Sequence, residues 1–171
     1  IYCDPPWRPT DGVLDPTRQI ENQYQTLTWE EIRDLRDPAN PTRTVPDLAT
    51  SDCVMAMWTT AQKIGDAFAI LTAWGFTTKS GAVWVKPSIG MGYWFRQRHE
   101  LLILATRGAP ATPLEETRPG SVLEAPRKRH SEKPEQMYVW LEQMFPGVPK
   151  IELFQRRARE GWDGWGNEDV T

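Results

Sequence analysis

Two stretches, CVMAMW at 53–58 and HELLILAT at 99–106, are apolar almost without interruption over a length that suits a strand. A strand with one wet face alternates polar and apolar residues, so unbroken runs need cover on both faces. GAVWVK (81–86) and KIELF (150–154) read the same way, and SVLEA (121–125) as a shorter strand. Amphipathic helices alternate with them. Residues 60–74 place Ile64, Ala67, Phe68, Leu71 and Trp74 on one face and end at Gly75. Residues 133–145 carry Pro134 in the first turn and a stripe of Met137, Trp140, Leu141 and Met144. The alternation predicts an α/β domain with a largely parallel sheet, in which ligands bind beyond the carboxyl ends of strands.

The connections are polar and rich in Pro and Gly. Residues 8–26, 37–50, 87–98 and 107–120 read as loops. Between the first two, TWEE (28–31) is a capping box that opens a short helix to about Arg36. No repeat or domain boundary interrupts the 171 residues, so one domain is expected. The chain opens inside a strand without Met, and residues upstream of it are expected.

A net charge of −3 excludes a surface built as a whole to attract nucleic acid, so a polyanion must be gripped locally. RQRH (96–99), RKRH (127–130) and RRAR (156–159) are the local clusters. Nine Trp and fifteen Pro exceed what a core requires and point to rigid loops with aromatic surfaces. Cys3 and Cys53, both in apolar strands, read as reduced thiols of a cytoplasmic protein. With two Cys and two His, structural zinc is not expected. No apolar run approaches the ~18 residues of a membrane span.

The first strand runs into Asp4-Pro5-Pro6-Trp7. An ionised Asp accepts hydrogen bonds and donates none. The prolines stiffen the chain and lack N–H groups, which leaves carbonyl acceptors without neighbouring donors. Trp7 adds a flat face. An acid, an acceptor backbone and a stacking surface suit a planar group bearing NH2, such as adenine. Its amine is a poor nucleophile because the lone pair is delocalised; accepting both N–H bonds localises that pair for attack on a methyl sulfonium. Catalysis then comes from positioning and electrostatics. The base must first leave its stack or come from a single strand. Alone, the tetrapeptide is equally a rigid turn with a loop-anchoring Trp.

DPPW resembles the signature of the N6-adenine methyltransferases that include the eukaryotic messenger-RNA adenosine methyltransferase and its bacterial and phage relatives. YQTLTWEEI, AVWVKPSIGMGYWFRQRHELLILATRG, HSEKPEQMY and FPGVPKIELFQRRAREGWDGWGNE extend the resemblance over nearly the whole chain, and the tail looks most like the prokaryotic and phage branch. The resemblance implies a Rossmann-like, S-adenosylmethionine-dependent methyltransferase fold in permuted (beta-class) order, catalytic strand early and cofactor strand late.

It also implies roles. Asp4, Pro5, Pro6 and Trp7 would bind the target amine, with Asp4 also near the methionine amino group. Lys133 would contact the cofactor carboxylate, Glu152 the cofactor hydroxyls, and Arg156, Asn167 and Glu168 the ribose. Glu168 replaces a eukaryotic Gln, and Ala158-Arg159 replaces His-Asn, which makes Arg159 an alternative ligand of the carboxylate. Tyr24 matches a tyrosine of the loop after DPPW; loops 8–26 and 88–98 would face the target. Arg96, Arg98, His99, Arg127, Lys128 and Arg129 would grip phosphates. Glu100, opening an apolar strand, is expected to orient neighbouring side chains and is given no chemistry. Further cofactor contacts, chiefly to the adenine, are expected from residues upstream of the DPPW strand.

The expected activity is therefore methyl transfer to adenine N6, on DNA ahead of RNA, with a homodimer or second methyltransferase-like subunit as partner and no membrane. The competing readings are a catalytically silent nucleic-acid-binding subunit and methylation of an amine in a small molecule or protein.

Overall fold

The structure, a computed structural model, describes residues 1–9, 25–90, 94–127 and 132–165. Its elements run β1 (Tyr2–Cys3), α1 (Trp29–Arg33), β2 (Arg36–Asp37), β3 (Asn40–Thr44), α2 (Val45–Leu48), β4 (Cys53–Thr59), α3 (Ile64–Ala73), β5 (Thr77–Val85), β6 (His99–Arg107), β7 (Val122–Glu124), α4 (Glu135–Met144), β8 (Ile151–Leu153) and β9 (Asp163–Trp165). Seven strands form one sheet in the order β7-β5-β6-β4-β1-β8-β9. All run parallel except β6, which is antiparallel to both β4 and β5. This is the Rossmann-like α/β architecture expected, with a single reversed strand.

The unbroken apolar runs are explained by two cores on opposite faces of the sheet. Cys3, Met55, Met57, Ile103 and Ala105 join Ile32 of α1 and Ala67, Ile70 and Leu71 of α3 in one. Their neighbours Tyr2, Ala56, Trp58 and Leu102 join Trp84, Leu123, and Met137 and Leu141 of α4 in the other. Successive residues of each strand thus serve opposite helices.

Several local expectations are corrected. In α3 the inward stripe is Ala67, Ile70, Leu71 and Trp74, while Phe68 is 42% exposed. The 3.6-residue period puts Phe68 about 100° from Ala67 and off the buried stripe. Residues 37–50 were expected as loop but contain most of a hairpin and a helical turn. Pro41 is tolerated because β3 pairs on one side only, and Asp47 caps α2 through Thr44. β5 starts four residues before the expected Gly81. β9 was not expected; Gly164 permits it, because a Cβ there would lie 2.4 Å from the Glu152 carbonyl oxygen. The capping box is present: Thr28 N donates to Glu31 Oε2 (2.7 Å) and Glu31 N to Thr28 Oγ1 (3.2 Å). Among the described residues no helix is long and apolar enough to cross a membrane.

Candidate active site

The parallel strands deliver their carboxyl ends to one edge of the sheet. Asp4 follows β1 there, Lys86 follows β5, and Gln155 and Arg156 lie just beyond β8. Because β6 is reversed, its amino end arrives at the same edge, bringing His99 and Glu100.

Asp4-Pro5-Pro6-Trp7 is tightly fixed. Pro5 and Pro6 are buried. Trp7 N donates to Pro5 O (2.9 Å), Leu27 N to Pro6 O (2.8 Å) and Trp7 Nε1 to Trp58 O (3.1 Å). The expectation of carbonyls without neighbouring donors is corrected: each proline carbonyl accepts one backbone N–H. The Asp4 carboxylate is therefore the principal acceptor, and Trp7 is half-buried against the core.

Four charges alternate behind it. Lys133 Nζ lies 2.8 Å from Asp4 Oδ2 and 3.3 Å from Glu100 Oε2, and Lys86 Nζ donates to Glu100 Oε1. Lys133 is set 5.7 Å from the Trp58 ring and Lys86 4.4 Å from the Trp84 ring. Those indoles meet edge to face at 6.2 Å, and Trp58 Nε1 donates to Tyr2 OH (2.5 Å). Lys133, whose side chain is 8% exposed, belongs to this row.

Burial pushes the Asp4 carboxyl above the ordinary carboxylate range, although the Lys133 ammonium pulls it back. For Glu100 burial also acts upward, but the two ammoniums outweigh it and hold it below its ordinary value. Lys133 is the mirror case: desolvation lowers it, yet Asp4 and Glu100 carry it above the usual lysine value. Two negative and two positive groups cancel, which is how so much charge is tolerated in apolar surroundings.

A second cluster surrounds Glu152. In the register Glu152 pairs with Tyr2 on one side and Gly164 on the other. Tyr138 OH donates to Glu152 Oε1 at 2.8 Å, and Tyr2, Tyr138 and Trp162 pack edge to face. Burial raises the Glu152 carboxyl and Asp4 adds to the rise, while Tyr138, Gln155 and Arg159 oppose it. Arg159 is fastened to α4: its Nε donates to Glu142 Oε1 at 2.8 Å, its Nη1 pairs with Glu135, and its guanidinium covers the Tyr138 ring at 4.7 Å. It stands with these carboxylates rather than at Asp4.

Beyond β8, Phe154 adopts φ +64°, a left-handed conformation uncommon for a bulky residue. That turn carries the chain to Gln155 and Arg156. Gln155 is 5% exposed, and its Nε2 faces the Glu152 carboxylate, whose charged form it favours, without a hydrogen bond of good geometry among the described residues. Buried amides rarely stay unpaired, so this donor fits a ligand rich in acceptors. Arg156 is half-buried and its charge reaches Asp4.

The expected phosphate-gripping residues border the edge. Arg98 Nε donates to Lys86 O (3.0 Å) and Arg96 Nε to Gly90 O (3.3 Å); a Cβ on Gly90 would lie 3.2 Å from the Arg127 guanidinium. His99 opens β6 opposite Val85. Tyr24, Lys128, Arg129, Asn167 and Glu168 lie outside the described residues.

The sequence reading gave Glu100 an orienting role, which its pairs with Lys86 and Lys133 match, but missed Lys86, Trp58, Tyr138 and Gln155. A signal was present for Lys86, which ends an otherwise apolar strand, where a charge needs a partner. A hollow of about 970 Å³ lies at the opposite edge, lined by Ile1, Val54, Phe145 and Ile151 among others, and it includes none of the four charged residues. Among the described residues no group of three or more His, Cys, Asp or Glu is arranged to hold a metal ion.

Comparison with known proteins agrees with this geometry. The chain is 31% identical over 98% of its length to the type II methyltransferase M.MunI of a Mycoplasma species, covering 76% of that protein. It is 27% identical to the N(6)-adenine-specific methyltransferase METTL4 of Mus musculus and 25% identical to the N(6)-adenosine-methyltransferase catalytic subunit METTL3 of Homo sapiens, in each case over 98% of this chain. Of those two it spans only 36% and 27%. The MT-A70 family model matches residues 1–168, and the chain belongs to the MT-A70 family.

Proposed function

We propose that this domain transfers a methyl group from S-adenosylmethionine to the exocyclic N6 amine of adenine in DNA. The observation that carries the reading is the Asp4 carboxylate, 16% exposed and held by Lys133 at the carboxyl edge of the central strand. The bacterial type II methyltransferase among its relatives favours DNA over RNA.

Asp4 is ready to accept N–H bonds from an amine, and the ammonium behind it favours the ionised form. Accepting those bonds localises the nitrogen lone pair. The amine must lose one proton as it gains carbon, and Asp4 is the adjacent base to take it. Its elevated proton affinity suits that exchange. Lys133, between Asp4 and Glu100, steadies the carboxylate before and after.

S-adenosylmethionine, when bound, supplies the electrophilic methyl on its sulfonium. The buried Gln155 amide and the strand-borne Glu152 fit such a ligand, with one donor and one acceptor of hydroxyl bonds. Arg156 and Lys133 would complete its contacts from this chain. The Trp162 ring and the Arg159 guanidinium pack on Tyr138 and hold its hydroxyl on Glu152.

The test is incubation with labelled methyl donor and duplex DNA, single-stranded DNA, RNA or free nucleosides. Label on adenine N6 in DNA is expected, and Asp4→Ala should abolish it while the protein still folds and melts cooperatively, at a lower temperature than wild type because Lys133 loses a partner. Label on adenine in RNA alone would reassign the polymer. No labelled adenine in any of them, or wild-type turnover by Asp4→Ala, would sink the assignment.

A further inference from the structure

The connection between β5 and β6 is unusual in what it leaves uncovered. Trp94 is 97% exposed and Phe95 83% exposed, more than any other large apolar side chain among the described residues. An aromatic side chain normally buries about 150–250 Å², so two adjacent ones in water call for an occupant. The segment bearing them is braced. Lys86 N donates to Arg98 O (2.7 Å), and Gly90 N to Gln97 O (2.9 Å). Arg98 and Arg96 lay their Nε atoms on the carbonyls of Lys86 and Gly90. In the chain the two aromatics fall between Gly90 and Gln97, the outer of these two rungs.

Charge and position identify the occupant. Residues 87–98 contain no Asp or Glu, and exposed Arg96, Arg98 and Arg127 surround the braced base. Such a surface complements phosphate. The connection also leads within two residues from Arg98 to Glu100, which holds Lys133 beside Asp4. An enzyme acting on a base inside a duplex must take it out of the stack, and apolar side chains inserted between base steps are one way to hold the gap.

Resting on the adenine reading above, we infer that Trp94 and Phe95 are an aromatic wedge that enters the base stack of duplex DNA and occupies the space vacated by the target adenine. Arg96, Arg98 and Arg127 hold the flanking phosphates. The wedge has work to do on duplex substrate alone, because a single strand presents its bases already unstacked.

The experiment compares wild type with the Trp94→Ala/Phe95→Ala double variant of the full chain. Methyl transfer is measured to a duplex DNA library and to the same strands after denaturation, alongside affinity for matched duplex and for duplex with one unpaired adenine. Loss of an aromatic stacking contact predicts a duplex rate lower by on the order of 10- to 100-fold. The single-strand rate should stay within about threefold, and Trp94→Phe/Phe95→Tyr should restore the duplex rate. Equal loss on both substrates, or loss on neither, overturns the wedge. So does a double variant that dissociates an oligomer seen for wild type by light scattering, since the aromatics would then cover a second copy. If wild type labels no adenine at all, the adenine reading fails by itself. The wedge is then judged on binding alone: it stands if the double variant loses a wild-type preference for the unpaired-adenine duplex, and falls otherwise.

Discussion

Replacing Lys133 with Met keeps most of the side-chain volume and removes the charge between Asp4 and Glu100. At 2.8 Å and an effective dielectric of roughly 20, the Lys133–Asp4 attraction is about 6 kcal/mol before desolvation is counted. If a third of it survives, about 2 kcal/mol, the Asp4 carboxyl rises by roughly 1.5 pH units. The direction is fixed by the structure: Asp4 already lies above the ordinary carboxylate range with Lys133 present, so its loss can only carry it further up. Since the ionised form accepts the amine, the acid limb of the pH–rate profile should move to higher pH, and the deficit should be larger near pH 6 than near pH 8. Stability follows with its own sign. A lysine raised in the folded state contributes fully below its unfolded value of about 10.4 and loses that contribution only as pH rises through the folded value, so all of it is forfeited at neutrality. Breaking such a buried pair costs about 3–5 kcal/mol, or roughly 6–20 °C in melting temperature for a domain of this size. The assay is single-turnover methyl transfer between roughly pH 6 and pH 9, at a temperature where both proteins remain folded. An acid limb coincident with that of wild type would refute the claim that Lys133 sets the ionisation of Asp4.

Glu100→Gln keeps the shape and leaves the Lys86 and Lys133 ammoniums facing each other without the intervening charge. It should slow transfer by on the order of tenfold and lower the melting temperature; because Asp4 is then the carboxylate left beside Lys133, adding Asp4→Ala should cost more stability than it does in wild type, as a double-mutant cycle by thermal melting would register. Gly108→Ala is a perturbation outside the site: φ is +67° and a Cβ would meet the Ser51 carbonyl oxygen at 2.2 Å. It should cost about 2–4 kcal/mol by calorimetry while transfer at low temperature is unchanged.

Much of this architecture was legible because burial on both faces leaves a plain mark. CVMAMW and HELLILAT could only be central strands, and their alternate residues do divide between two cores. What was illegible was pairing. Nothing local in HELLILAT says that it runs against its neighbours, so Glu100 could not be brought to the carboxyl edge in advance. Lys133 was singled out by the company of HSEKP, but its ion pairs are spans of the fold, 129 and 33 residues apart in sequence from Asp4 and Glu100. The open proline carbonyls failed for a similar reason: the donor for Pro6 is Leu27, across a loop. The hairpin at 36–44 was hidden by Pro41, a residue that a two-stranded ladder tolerates on its outer side.

The reversed direction of β6 has one more effect. Because β5 and β6 are antiparallel neighbours, the segment between them starts and finishes at the same place, closed by Lys86 and Arg98 at its neck. Lys86 is part of that closure and Glu100 lies outside it. The span from Pro87 to Gln97 can therefore lengthen, shorten or change its side chains while the charges that serve Asp4 keep their positions. On the roles proposed above, substrate preference and methyl-transfer chemistry become separately evolvable, the first carried by an exchangeable insert and the second by a fixed sheet edge.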